Sequence, residues 1–130
     1  MTDLIEVKTT DLAGEPLNWS VAIAMGLNPS VVPAQYGVPA RVFIQQEGMF
    51  PVRYKPAVDW QVGGPLIEKN HVDLHYPHGL PGRGWMAQAG TQIEERPIAA
   101  ADPTPLVAVC RAIVANKLGE TVQVPKELLP

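Results

Sequence analysis

Three histidines, His71, His75 and His78, fall close together in the chain and raise the question of a metal. The residues around them argue against it. Val72, Leu74 and Tyr76 alternate with His71, Asp73 and His75, which predicts a half-buried strand over 71–76. Four residues of strand put the His71 and His75 positions roughly 13 Å apart, whereas metal–nitrogen bonds of about 2.1 Å need ligands side by side. Nucleophilic chemistry fares no better. Cys110 is the single cysteine and falls on an apolar helical stripe, where a thiol is inert packing. Glu94 and Glu95 are adjacent, so their carboxylates point apart. Gly-x-Ser-x-Gly, phosphate-loop, His-Glu-x-x-His and Gly-x-Gly-x-x-Gly patterns do not occur in the sequence. The expectation is a protein with no catalytic group, no metal and no cofactor.

A binding surface is easier to assemble. Tyr54, Trp60 and Trp85 each flank a turn or an unusual backbone segment, and Arg53, Lys55, Arg83 and Arg111 supply cations. Asp59 opens a helical turn and Gly63-Gly64 sit in a tight segment, so backbone N–H groups are on offer to an anion. An aromatic shelf with arginine and backbone donors suits a nucleotide-like ligand. The candidate contacts are Tyr54, Asp59, Trp60, Gly63, Gly64, Trp85 and Arg111. In that reading Trp60 or Tyr54 stacks on a base, Arg111 meets phosphate, and the Gly63-Gly64 backbone donates hydrogen bonds.

Charge limits the alternatives. The chain of 130 residues has 10 Lys and Arg against 13 Asp and Glu, a net charge of −3, and its cations are spread singly. A protein that coats nucleic acid without sequence preference needs a basic excess, so that class is excluded. The N-terminus lacks the basic and apolar regions of a signal peptide, and no apolar run approaches the ~20 residues of a membrane span. A lone cysteine fits a reducing compartment. The expected setting is a reducing cytosol.

The elements that must position these residues follow from pattern and punctuation. Residues 4–8 read as a short strand. A helix from Pro16 to about Met25 carries Leu17, Val21 and Ala24 on one side and Trp19 and Ile23 on another, with Gly26 placed for a left-handed stop. Residues 28–40 read as a loop, 41–46 as a strand, Gly48 as a turn, and 52–54 as a short return. Asp59 to Asn70 has a good N-cap, but Gly63-Gly64-Pro65 in mid-helix costs about 1 kcal/mol per Gly and ~3 for Pro. The segment is therefore either a turn that breaks and restarts or one bent helix. Pro77 to Gly84 reads as a hairpin-like connection to a strand over 85–89, and residues 90–102 as irregular. The clearest helix starts at Thr104-Pro105 and ends at Gly119, with Leu106, Val109, Cys110, Ile113, Val114 and Leu118 as its stripe and Ala108, Ala112 and Ala115 as a smooth second side. Val122-Gln123-Val124 reads as an edge strand stopped by Pro125. The fold class is α/β or α+β: a single compact domain over 1–130, with a small, mainly antiparallel sheet packed by two to three helices.

The stretch Tyr54-Lys55-Pro56-Ala57-Val58-Asp59-Trp60-Gln61-Val62-Gly63-Gly64-Pro65-Leu66-Ile67-Glu68 resembles the NinX-like family of small phage proteins. Members carry a Y-x-P-S-T-D-W-x-x-G-G-P-I-I-E segment. Leu17-Asn18-Trp19-Ser20-Val21-Ala22, Trp85-Met86-Ala87, Thr104-Pro105-Leu106-Val107-Ala108 and Val122-Gln123-Val124-Pro125-Lys126-Glu127-Leu128 agree in order, so the likeness spans nearly the whole chain. Ala57-Val58 stands where Ser-Thr is usual, and Asn18 where Asp is common. The resemblance implies a domain of unknown function encoded among dispensable phage accessory genes, and by association a counter-defence role. Two binding hypotheses follow. The first is a homo-oligomer that sequesters a nucleotide-like immune signal without catalysis. The alternative is an inhibitor that docks on a host defence or DNA-processing enzyme through an exposed apolar patch. Hydrolysis of a nucleotide signal is a third choice.

Overall fold

The computed structural model describes residues 3–77, 84–90, 100–102 and 104–130. In chain order the elements are β1 (Leu4–Lys8), α1 (Gly14–Ala24), β2 (Pro29–Val32), β3 (Arg41–Ile44), β4 (Val52–Arg53), α2 (Trp60–Lys69), β5 (Asp73–His75), β6 (Trp85–Gln88), β7 (Ala100–Asp102), α3 (Pro105–Leu118) and β8 (Thr121–Pro125). The fold is α+β. Every described ladder is antiparallel, but the strands form three small sheets, β1-β8, β2-β3-β4 and β5-β6-β7, where one was expected.

The organising element is α3. Leu106, Val109, Cys110, Ile113 and Val114 are buried on its stripe, and Ala108 and Ala112 are buried on the smooth side. The helix accordingly packs against α1 and α2 as well as β6 and β7. Each large apolar side chain buried here contributes about 1.5–3 kcal/mol relative to exposure. Pro105 takes the first helical position, as expected, but the Thr104 hydroxyl does not cap. The cap comes instead from Asp102, whose Oδ2 accepts the Thr104 N–H at 2.8 Å. A carboxylate at this positive end of the helix dipole is better placed than a hydroxyl.

α1 ends as its glycine predicts. Gly26 has φ 72°, and the Leu27 and Gly26 N–H groups donate back to Ala22 and Ile23, the paired closure that only a left-handed residue allows without strain. The loop expected over 28–40 contains β2. Pro29 opens it, a position where the missing N–H is harmless on an edge strand, and Val31-Val32 supply the β-branched residues. The strand over 71–76 is shorter than expected. His71 has φ 51° at the end of α2, so it does not share a strand face with His75. His78, Arg83, Ile93, Glu94, Glu95 and Ile98, and most of the connection from Pro77 to Gly84, lie outside the described residues.

α2 is one continuous helix through Gly63, Gly64 and Pro65. Its glycine has a structural reason. A Cβ on Gly63 would stand 2.3 Å from the Pro56 carbonyl oxygen and 2.9 Å from Leu106 Cδ2, so only a hydrogen fits where α2 crosses the preceding turn and α3. Pro65 removes the hydrogen bond to the Gln61 carbonyl. Both residues are exposed, where a lost helix bond costs least.

Candidate functional site

The seven sequence-based candidates do not converge. Tyr54 is 5% exposed, and its N–H donates to the Val42 carbonyl at 3.1 Å. Burial, with Cys110 nearby, pushes its hydroxyl pKa up to about 12, and burial does the same to the Cys110 thiol. A ring in that position is core, where the sequence reading placed it on a stacking surface. Gly63 is buried, and its N–H donates to the Asp59 carbonyl at 2.7 Å, so that donor is spent inside the helix. Asp59 caps α2 as expected, with Oδ1 accepting the Gln61 N–H at 3.0 Å.

Arg111 is also committed. Its Nε donates to the Leu12 carbonyl at 2.7 Å and its Nη1 to Asp102 Oδ1 at 3.2 Å, with the side chain 15% exposed. One guanidinium thus ties α3 to the segment before α1 and to β7, and Asp102 bridges Arg111 and the α3 N-terminus. Arg111 thus serves the fold through these two bonds, whereas the sequence reading gave it to phosphate. Arg53 is held in the same way, by Glu15 at 2.7 Å and by the carbonyls of Val42 and Tyr54 at 3.1 and 3.2 Å.

Three candidates remain on the surface. Trp60 is 55% exposed, and Gly64 lies against its ring, where a Cβ would come 3.8 Å from Cε3. Trp85 is half-buried against the core and meets Tyr76 edge to face, with centroids 5.5 Å apart. The segment that carries the family resemblance is therefore largely committed to the fold: Tyr54 enters the core, the Ala57 N–H donates to Asn18 Oδ1 at 3.2 Å, Pro56 abuts Gly63, and Asp59 caps.

Two surfaces that the sequence reading did not single out carry exposed apolar groups. The first is the turn between β3 and β4. Phe50 is 90% exposed, Met49 59% and Val52 48%. The turn is built, with the Met49 N–H donating to the Gln46 carbonyl at 3.0 Å and Gly48 at φ 76°, as a type II turn requires. Pro51 then biases Phe50 toward extended backbone. The signal was present as the run Met49-Phe50-Pro51-Val52 directly after a turn glycine. The second is a groove of about 250 Å³ lined mainly by Trp19 and Ile23 of α1, Leu118 of α3 and Thr121–Gln123 of β8. Trp19 and Ile23 are the second apolar side already visible in the α1 sequence.

Among the described residues no group of three or more His, Cys, Asp or Glu is placed to hold a metal ion, and no helix is long and apolar enough to cross a membrane. The fold and its surfaces define a small α+β protein whose most conspicuous exposed features are apolar side chains. A family model described as Bacteriophage P22, NinX matches residues 8–117, and the chain belongs to that phage family. A comparison with curated proteins finds no match.

Proposed function

We propose that this chain is a non-catalytic phage accessory protein that binds and inhibits a bacterial host protein, with the β3–β4 turn as its contact. The observation that carries this reading is Phe50, 90% exposed directly after the hydrogen-bonded turn over 46–49. A large aromatic left in water forfeits about 1.5–3 kcal/mol that burial against a partner recovers. A preformed turn beside it lowers the ordering cost of docking, and aromatic residues are enriched at interfaces. A host enzyme of defence or DNA processing is the target class that a phage accessory role implies.

A second reading keeps Trp60 as a stacking surface for a nucleotide-like immune signal, sequestered without catalysis. It is favoured by the exposure of that indole beside the capped start of α2. Immobilised protein exposed to host lysate separates the two. The first reading expects a stoichiometric protein partner that Phe50→Ala loses. The second expects a small molecule released intact on denaturation, and heat in calorimetry against a panel of cyclic nucleotides.

A further inference from the structure

We infer that β8 is a self-pairing edge, and that two copies of this chain join through it into a four-stranded antiparallel sheet ordered β1-β8-β8-β1. The inference goes beyond the β3–β4 turn and uses a different face of the molecule.

The register fixes which backbone groups are free. β1 pairs β8 with Leu4 opposite Pro125 and Lys8 opposite Thr121. At the two ends the Thr9 N–H donates to the Glu120 carbonyl and the Lys126 N–H to the Asp3 carbonyl, both at 2.8 Å. Hydrogen-bonded and non-hydrogen-bonded pairs alternate along an antiparallel ladder. Residues 120, 122, 124 and 126 therefore aim their backbone groups at β1, while Thr121 and Gln123 aim theirs away from it. Among the described residues nothing receives them: β8 pairs with β1 alone, and neither residue makes another backbone hydrogen bond. These residues line the groove of about 250 Å³, beside Ile23, 43% exposed, and Leu118, 37% exposed.

A two-fold axis through Val122 satisfies the edge completely. Thr121 of one copy then faces Gln123 of the other, and the reverse, closing four N–H···O bonds in two hydrogen-bonded pairs. The ladder limits itself, because Pro125 has no N–H to extend it and Gly119, at φ 97°, turns the chain out of line. Charge permits the pairing, since residues 121–125 carry no charged side chain. The outer edge of β1 differs. Its outward residues are Leu4, Glu6 and Lys8, and two-fold pairing about the strand centre would set Glu6 against Glu6 of the other copy. Charged residues on an edge are how sheets avoid such pairing. A ladder of β1 on β8 is head-to-tail, lacks the two-fold, and would build a ring or a filament where a two-fold β8 pairing stops at two copies. The occupant of the edge is a second copy, and its apolar groove comes to lie beside the first.

Light scattering and sedimentation test this on the full chain. Wild type is expected at twice the 14.1 kDa chain mass. Thr121→Lys with Gln123→Lys places lysine opposite lysine at both pairs, and the mass should halve. Thr121→Lys with Gln123→Glu places opposite charges there, and the dimer should return. All three chains should keep the same circular dichroism, since these side chains are exposed and their backbone groups make no internal bond. In wild type, the Thr121 and Gln123 amide protons should exchange slowly when concentrated and quickly on dilution. A wild-type monomer at about 100 µM (between the millimolar and micromolar marks of the affinity scale), a dimer that survives the double lysine, or amides that exchange alike at all concentrations would each overturn the inference.

Discussion

Replacing Gly63 by alanine is the sharpest perturbation of the fold. Intrinsic helix propensity favours the change by about 1 kcal/mol. Against it, the new Cβ would lie 2.3 Å from the Pro56 carbonyl oxygen and 2.9 Å from Leu106 Cδ2. The first distance is about 1 Å inside the ~3.3 Å at which carbon and carbonyl oxygen normally meet. Leu106 can yield by a rotamer change, but Pro56 presents backbone, so α2 itself must move away from α3. Overpacking of this kind costs about 1–3 kcal/mol. The severity of the backbone contact puts this case at the upper end, leaving a net loss of about 1–2 kcal/mol after the propensity gain. For a chain this size that lowers Tm by about 4–7 °C. Gly64 is the internal control, because its Cβ would meet only the Trp60 ring at 3.8 Å, an ordinary contact. Gly64→Ala should raise stability by up to about 1 kcal/mol. Urea unfolding of the two variants beside wild type gives the answer. Equal or greater stability for Gly63→Ala would refute the close approach as the reason for this glycine.

Other outcomes follow from the same contacts. Arg111→Met keeps the apolar stem but removes the bonds to Leu12 and Asp102, and should cost about 1.5–3 kcal/mol in denaturant unfolding. Cys110 moves from 9.0 and Tyr54 from 10.0, both to about 12, on folding. Below pH 9 both groups are protonated in either state and their contribution is fully present. Above it the unfolded chain releases protons that the folded chain retains, so stability should fall with rising pH up to about 12. Tyr54→Phe and Cys110→Ala should each flatten that slope, and native Cys110 should resist thiol reagents at neutral pH. Tyr36, at φ 51° and 93% exposed, pays for a left-handed conformation, so Tyr36→Gly should be tolerated, raising Tm or leaving it unchanged.

How far the sequence speaks depends on which physical rule dominates at each place. Helix starts and stops were legible at Pro105, Gly26 and Gly119 because φ restrictions act locally. The stripe of α3 was legible because one helix buries two faces. β2 was missed because Pro29 and Pro33 bracket a strand of only four residues, where punctuation outweighs pattern. The candidate site was legible least. Arg111, Tyr54 and Gly63 are chemically suited to a ligand, but Leu12, Asp102, the core and Pro56 claim them first, across separations in sequence that no local pattern records. Phe50 carries the opposite lesson: its neighbours mark a turn, yet only the structure shows its ring 90% exposed.

In the proposed function the β3–β4 turn, and not the aromatic at the start of α2, is the working surface. Capture from host lysate with wild type, Met49→Ala with Phe50→Ala, and Trp60→Ala tests it most directly. Losing two apolar anchors should weaken capture by at least about tenfold, since truncating an anchor typically costs 1–2 kcal/mol or more, while Trp60→Ala retains the partner at wild-type yield. Undiminished capture by the turn variant, or loss confined to Trp60→Ala, would contradict the account.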